Sequence, residues 1–378
     1  MKKISKIVSL IAVFLLFNVY SVYADPHTSL LQQYNKDNSL KSQEKENRDI
    51  NLLTYKEAAK MALARSYDYK NQLVEIEKIE EKREQVSDNL GFSYETDDAS
   101  DMNLLKRLKS CDTSLEIAKK ELEIKQENIA FQVKTQMDEI HRLSMEMDVM
   151  KLQIENGETE YQIAKAKENN GMISRYDLQK EQEAHDKMIK EKEVLEKSIE
   201  AAYVKLESLL GINDSEKYTF EDHVVFEFLV DGDIDYLVNK IMSGNPSIWN
   251  QEKAIESAKL DLILYVYNSG DESYKVKEIN LQQEKNKLAE LKRSLEETIR
   301  TSYSQIQQLE KSYELLEVNL RSAERNLKLT QAQYAVGIAT DVQLKEAKLA
   351  VIQMEYELKK KAIEHEKAKT LLYKPHLK

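Results

Sequence analysis

Two copies of one pattern decide the fold. The first copy, residues 129–164, reads IAFQVKTQMDEIHRLSMEMDVMKLQIENGETEYQIA, and the second, residues 295–330, reads LEETIRTSYSQIQQLEKSYELLEVNLRSAERNLKLT. In both copies mainly apolar residues recur at alternating spacings of four and three. A sustained period of 3.5 residues is typical of left-handed coiled coils. The seam positions are Ile129, Val133, Gln136, Ile140, Leu143, Met147, Met150, Ile154, Gly157, Tyr161 and Ala164, and then Leu295, Ile299, Ser302, Ile306, Leu309, Tyr313, Leu316, Leu320, Ala323, Leu327 and Thr330.

The duplication extends beyond the two seams. An offset of 166 residues aligns Gly171 with Gly337 and continues to the ends of both halves without a gap. Upstream of the seams the halves align again at an offset of 179, which pairs Ile76 with Ile255. Two aligned blocks in the same order indicate an internal repeat.

Composition favours an all-α protein. The 378 residues include only 8 Gly and 3 Pro, and 33% are charged. So few breakers do not supply the turns of an all-β or α/β fold. Breakers and polar clusters divide each repeat into a helix, a loop, a long helix, a tight turn and a shorter helix. The predicted long helices are about 113–169 and 274–336, and the predicted shorter ones are about 56–88, 174–210, 234–267 and 340–373.

Outside the two repeats, the N-terminus and the segment between the repeats carry further sequence patterns. Three lysines, the apolar stretch 7–17 and the small-residue site at 22–24 predict a signal peptide, with an uncleaved anchor as the alternative. Between the repeats, the alternating run 224–230 is the best strand candidate. The predicted division is 1–24 signal peptide, 25–51 disordered linker, 52–211 first repeat, 212–233 connection, 234–373 second repeat and 374–378 tail.

Nothing in the sequence predicts an enzyme or a cofactor. The six histidines show no metal-binding spacing, and we expect them on the solvated surface. Cys111 is the only cysteine, which leaves a tolerated thiol or an intersubunit disulfide. A net charge of -11 argues against nucleic-acid binding.

Short motifs in the same order in both halves resemble the outer-membrane efflux protein (TolC) family over about residues 50–373. Leu53–Leu63 (LTYKEAAKMAL) is similar to the motif that opens each half of that family, and 244–247 (GNPS) to its Asn-Pro pair. The turns 169–174 (NNGMIS) and 335–340 (AVGIAT) are similar to its hairpin tips. Residues 202–211 are similar to its closing motif.

The resemblance implies a trimer in which each protomer adds two hairpins to a hollow α-barrel. It also implies a periplasmic-type adaptor (membrane fusion) protein at the tips and, through it, an inner-membrane transporter. Packing within the tip is the other explanation for the apolar tip residues, and a solvated surface is the other explanation for the carboxylates. The implied docking residues are Asn170, Gly171, Met172, Ile173, Val336, Gly337, Ile338 and Ala339, and the possible entrance carboxylates are Asp177, Asp341 and Glu346.

One feature of the family has no counterpart here. The family inserts a pair of membrane strands after the first helix of each half, and a spanning strand needs about 9–11 residues. Residues 89–112 are too acidic and 268–273 too few. We therefore expect a barrel-less member in the extracytoplasmic envelope, without direct membrane insertion. The predicted function is a passive efflux or export conduit; the alternative is a secreted coiled-coil structural or spacer protein without a lumen.

Overall fold

The computed structural model describes residues 52–89, 99–212, 219–220, 224, 226–229, 233–265 and 272–377. These residues belong to one compact unit, 47–378. The predicted signal peptide, 1–24, and the whole of the predicted linker, 25–51, lie outside them.

The described residues form eight helices and two very short strands, in two similar halves. The first half comprises β1 (Leu52–Leu53), α1 (Tyr55–Arg65), α2 (Tyr67–Asn89), α3 (Ala99–Asn169) and α4 (Arg175–Leu210). The second half comprises β2 (Thr219–Phe220), α5 (Ile234–Ser243), α6 (Pro246–Ile263), α7 (Tyr274–Ala335) and α8 (Asp341–Tyr373). The predicted all-α fold of two long helical hairpins is confirmed.

One long helix organises each half. Helix α3 has 71 residues and α7 has 62, which correspond to about 105 and 95 Å at 1.5 Å per residue. Helices α1, α2 and α4 pack along α3, and α5, α6 and α8 pack along α7. Every predicted seam position is buried or half-buried. The core of the first half includes Val133, Ile140 and Leu206, and that of the second includes Ile299 and Leu372.

The helix that precedes each long helix is broken in two, whereas a single helix was predicted. In the first half the break is at Ser66, whose hydroxyl accepts the amide of Tyr69 at 3.2 Å. In the second it is at Gly244–Asn245, where the Asn245 side chain accepts two amides and Pro246 begins α6. Proline suits this place because the first helical amide has no partner within the helix.

The prediction that residues 89–112 form a loop is wrong from residue 99 onward. Helix α3 begins at Ala99, so Cys111 and Asp112 are helical. Leu104 and Leu108, one turn apart, are half-buried, and Asp112 pairs with Arg83 of α2 at 2.5 Å. Lys106 and Lys109 also reach acidic residues of α6. These ion pairs give the polar side chains of the stretch partners on neighbouring helices, and the spacing of Leu104 and Leu108 is a helical signal that the prediction missed.

The strand predicted at 224–230 is also wrong for the residues described there. The strand of the connection is β2, which pairs in parallel with β1. Further on, the ring of Phe226 stacks on Tyr313 with centroids 3.6 Å apart, and the Leu229 amide donates to Glu310 at 2.6 Å. Phe226 and Leu229 therefore contact helix α7, whereas Phe228 between them is 48% exposed, so burial does not follow the alternation of the sequence.

Within the described ranges, no helix has a stretch long and apolar enough to cross a membrane.

Candidate functional site: the hairpin tips

The first tip is the five-residue turn between α3 and α4. Gly171 has a φ of 71°, and the amides of Gly171 and Met172 donate to carbonyls of the last turn of α3, each at 2.8 Å. Glycine adopts this left-handed conformation without the steric cost that other residues incur. Asn170 caps the same helix end, because its side-chain amide donates to the Ala166 carbonyl at 2.7 Å.

The second tip repeats this geometry between α7 and α8. Gly337 has a φ of 76°, and the Ile338 amide donates to the Gln333 carbonyl at 2.8 Å. Each following helix starts with a capping box, from Ser174 and Asp177 in the first tip and from Thr340 and Gln343 in the second. Asp177 and Gln343 are thus the same capping position, which either side chain fills by accepting the N-cap amide.

Both tips expose large apolar side chains. Met172 is 72% exposed, Val336 70% and Ile338 74%, so packing within the turns does not bury them. Ile173 and Ala339 are half-buried, whereas Asn170 and both tip glycines are exposed. Two exposed tyrosines that sequence reasoning missed, Tyr176 and Tyr334, lie beside the turns. Exposed apolar side chains grouped on a polar protein often indicate a contact surface.

Two of the three carboxylates proposed near the tips have local partners. Asp177 accepts the Ser174 hydroxyl at 2.7 Å, and hydrogen bonds from Ser174 lower the pKa of this carboxyl. Asp341 lies 3.4 Å from the Nζ of Lys345. Lys345 also reaches across to Thr159 of α3 at 3.2 Å, which joins the tip-proximal part of one hairpin to the other. An entrance role for these carboxylates stays a prediction.

Glu346 belongs to a group of acids that the sequence did not identify as a group. Burial raises the pKa of Glu160 on α3, and the charges of Glu346 and Glu181 raise it further. Glu160 and Glu181 lie 11 and 10 residues from Gly171 on opposite arms of the first hairpin. Nearly equal distances from a hairpin turn bring residues close together, and this signal was available in the sequence. The three acids come from α3 and α4 of the first hairpin and from α8 of the second.

The expectation that all histidines are solvated is wrong for His365. It is only 2% exposed, its Nε2 lies 3.2 Å from the Oε1 of Glu310, and Phe226 packs on its ring. The side chains of His185 and His376 are also largely buried beside Glu158 and Glu127. A buried Glu310 accepts both His365 and the connection's Leu229 amide, so this histidine is part of a structural contact.

The fold is similar to that of several solved structures, although no family model and no curated protein sequence matches the chain. The structure is similar to the Campylobacter jejuni CmeC outer membrane channel, with a TM-score of 0.60, 9% identity and coverage of 84% of this chain and 85% of that one. The outer membrane protein VceC from Vibrio cholerae gives 0.60, 12% identity, and coverage of 84% and 95%. CusC, described as forming a transmembrane channel, gives 0.62, 10% identity, and coverage of 84% and 91%. The resemblance to TolC-like outer-membrane channels is thereby confirmed at the level of the fold.

Proposed function

We propose that this chain is one subunit of an efflux or export duct, in which three copies form a hollow tube and the hairpin tips dock on an adaptor protein. The adaptor in turn joins a transporter of the inner membrane, and the duct itself is a passive conduit, not an enzyme. The observation that carries the proposal is the duplicated hairpin with apolar residues exposed at both tips, on a fold shared with outer-membrane channels.

The two long helices differ in their neighbours, and this difference supports ring closure. Helix α3 packs on α1, α2 and α4 of its own half and also on α6 and α8 of the other half. Helix α7, its counterpart, packs on α5, α6 and α8 of its own half. If the repeats are structurally equivalent, α7 offers a surface to α2 and α4 of another copy. In the proposed assembly, α7 of each copy makes with the next copy the contact that α3 makes with α6 and α8 inside one chain, and this series of contacts closes into a ring.

Matched residues show what that surface contains. Val149 of α3 is 7% exposed, whereas Leu315, which occupies the same place in α7, is 61% exposed. Likewise Pro246 is buried, whereas its counterpart Tyr67 is 68% exposed. Apolar side chains are thus exposed at places whose counterparts in the other repeat are buried. Contact with a second copy would remove this apolar area from water.

The same comparison disfavours the spacer alternative. A spacer without a lumen needs apolar residues only along the seam of each hairpin. Besides Leu315, helix α7 exposes Val318 and Leu329, although neither is a seam position. Apolar flanks on both sides of a two-hairpin unit are what the wall of a tube requires.

The adaptor contact is tested by crosslinking from the second tip. A photo-reactive amino acid at Ile338, in cells that co-produce a candidate adaptor and transporter, should give an adaptor conjugate. The matched control is the same probe at Lys197 on α4, a lysine with a side chain that is 80% exposed. Conjugates from both positions, or from neither, would contradict tip docking.

We further propose that the chain works in the cell envelope. The similar structures of CmeC, OprN and MtrE are described as outer membrane channels, which supports this compartment. The signal peptide predicted at 1–24 would carry the chain there.

A further inference from the structure

A buried polar cluster lies where the first repeat meets the second. Asp138 on α3 is 7% exposed and accepts the hydroxyl of Tyr55, the first residue of α1, at 2.6 Å. Lys134, one turn earlier on α3, forms an ion pair with Glu366 on α8. The Lys134 ammonium also lies 5.8 Å from the centroid of the Tyr55 ring. The cluster therefore connects α1 and α3 of one repeat with α8 of the other.

Two carboxyls of the cluster, Asp138 and Glu366, lie near one lysine, Lys134, and one histidine, His141. Lys134 pairs with one oxygen of Glu366, but the other oxygen, Oε2, is buried, and no hydrogen-bond donor of the described residues reaches it. Asp138 accepts Tyr55, a neutral donor. A buried carboxylate without full compensation is costly, and a carboxyl in such a place reduces the cost by binding a proton.

Some groups around Asp138 raise the pKa of its carboxyl and others lower it. Burial raises the pKa of the Asp138 carboxyl most strongly, and the charge of Glu366 raises it further. The Tyr55 hydrogen bond and the charges of Lys134 and His141 act in the other direction, and the net pKa lies above the ordinary value. Tyr55 on α1, Lys134 and His141 on α3 and Glu366 on α8 are the titratable groups that act on it.

We propose that Asp138 is a proton-binding site at the contact between the two repeats, and that proton uptake there stabilises the packing of α3 against α8. The inference does not depend on the duct function. At an offset of 166 the counterpart of Asp138 is Ser304, and at 179 the counterpart of Tyr55 is Ile234. The site therefore exists once per chain, at the contact within the protomer.

The sign of the pH dependence follows from linkage. A carboxyl that holds its proton more tightly in the folded than in the unfolded state favours folding most below its ordinary pKa, about 3.9. This contribution is lost as the pH rises through the folded value, because a buried charge then replaces a neutral group. Asn at this position keeps the shape, still accepts from Tyr55 and never becomes charged.

The test compares thermal unfolding of the wild-type chain and Asp138→Asn from about pH 4, close to the ordinary aspartate pKa, to about pH 8. We expect the variant to melt about 2–4 °C higher near pH 8, with a gap that narrows as the pH falls towards about 4. Asp148→Asn, a substitution on an exposed side chain of the same helix, is the control and should show no such pattern. A variant that melts below the wild type near pH 8, or a gap that is zero or constant with pH, would overturn the proposal.

A second measurement applies if Asp138→Asn does not fold. Infrared spectroscopy of wild-type protein with 13C-labelled aspartate, recorded as a pH titration, should detect one protonated carboxyl band that persists to a higher pH than the bands of ordinary aspartates, whose pKa is about 3.9. Asp138→Ser, which introduces the residue of the other repeat, should remove that band. Absence of the band in the wild type, or its persistence in the variant, would contradict a proton at Asp138.

Discussion

At the residue scale, the clearest electrostatic contact ties the chain after α8 to α3. Glu127 accepts from the Lys374 ammonium and from the His376 Nε2, both at 2.8 Å. The hydrogen bond from His376 is the main reason that the pKa of Glu127 falls to about 2, although burial acts against it. A carboxyl whose pKa is lowered by folding stabilises the fold at pH values above its ordinary, unfolded pKa. This stabilisation is lost as the pH falls through the lower pKa of the folded state.

This contact gives a pH prediction. We expect Glu127→Gln to lower the free energy of unfolding by about 1 kcal/mol near pH 7, a figure reduced for solvent screening because Glu127 is partly exposed. The loss should shrink between about pH 4.5 and about pH 2, where the wild-type carboxylate takes up its proton. Urea unfolding at about pH 7 and about pH 3.5 measures both values. Glu123→Gln, four residues earlier and more exposed, is the control. An equal loss of unfolding free energy in Glu127→Gln at both pH values would argue against the contact.

Single residues also show where sequence reasoning succeeds and where it stops. Gly171 and Gly337 were identified correctly because a hairpin turn requires a left-handed residue, and that need is local. The capping role of Asp177 was not predicted, although it is equally local, since Ser174 lies three residues before it. The burial of His365 was missed because its partners, Glu310 and Phe226, are 55 and 139 positions away in the chain.

At the element scale, the long helices were predictable because a seam of period 3.5 repeats over many turns. The start of α3 was missed because residues 99–112 are rich in polar side chains, although Leu104 and Leu108 lie one helical turn apart. The stretch also forms ion pairs with α2 and α6. The connection was also misread. The alternation at 224–230 predicts a strand, but Phe226 packs on α7 whereas Phe228 is 48% exposed, so burial does not follow that alternation.

The seam gives a stability prediction at the same scale. Leu143→Asp should lower the free energy of unfolding by several kcal/mol, because Leu143 is buried and an unpaired buried charge is costly. Leu309→Asp should cost less, since Leu309 is only half-buried. Circular dichroism melting measures both substitutions.

Leu315→Asp is the matched control for these substitutions. Leu315 lies on the same helix as Leu309 but is exposed in the single chain. It should leave the helical signal of the isolated chain intact and weaken assembly, which size-exclusion chromatography detects. A neutral result for Leu143→Asp would show that the assigned seam is wrong.

At the scale of the whole molecule, the lengths of two connections bear on membrane contact. Residues 90–98 separate α2 from α3, and residues 264–273 separate α6 from α7. Two membrane-crossing strands need about twenty residues, which neither connection has. We expect protein without residues 1–24 to stay with the aqueous fraction when mixed with liposomes and floated on a density gradient. Protein that remains with the lipid after an alkaline carbonate wash would contradict this expectation.

Assembly into a closed ring is the central claim, and the repeat specifies which residues should meet. Lys134 and Glu366 form one of the ion pairs between the two repeats, and their counterparts at an offset of 166 are Arg300 and Glu200. Within one chain Arg300 pairs with Asp235 and Glu296, whereas Glu200 pairs with Lys197. In the proposed ring, Arg300 of one copy faces Glu200 of the next.

The most direct measurement is therefore a crosslink between copies. Cysteines are placed at Glu200 and Arg300 in a Cys111→Ser background, and a short bis-maleimide is added to the purified protein. The account predicts covalent dimers and trimers and no larger ladder, because three contacts close the ring. Each single-cysteine variant is the control and should not give trimers. A chain that stays monomeric at every concentration, or a ladder that continues beyond three copies, would contradict the account.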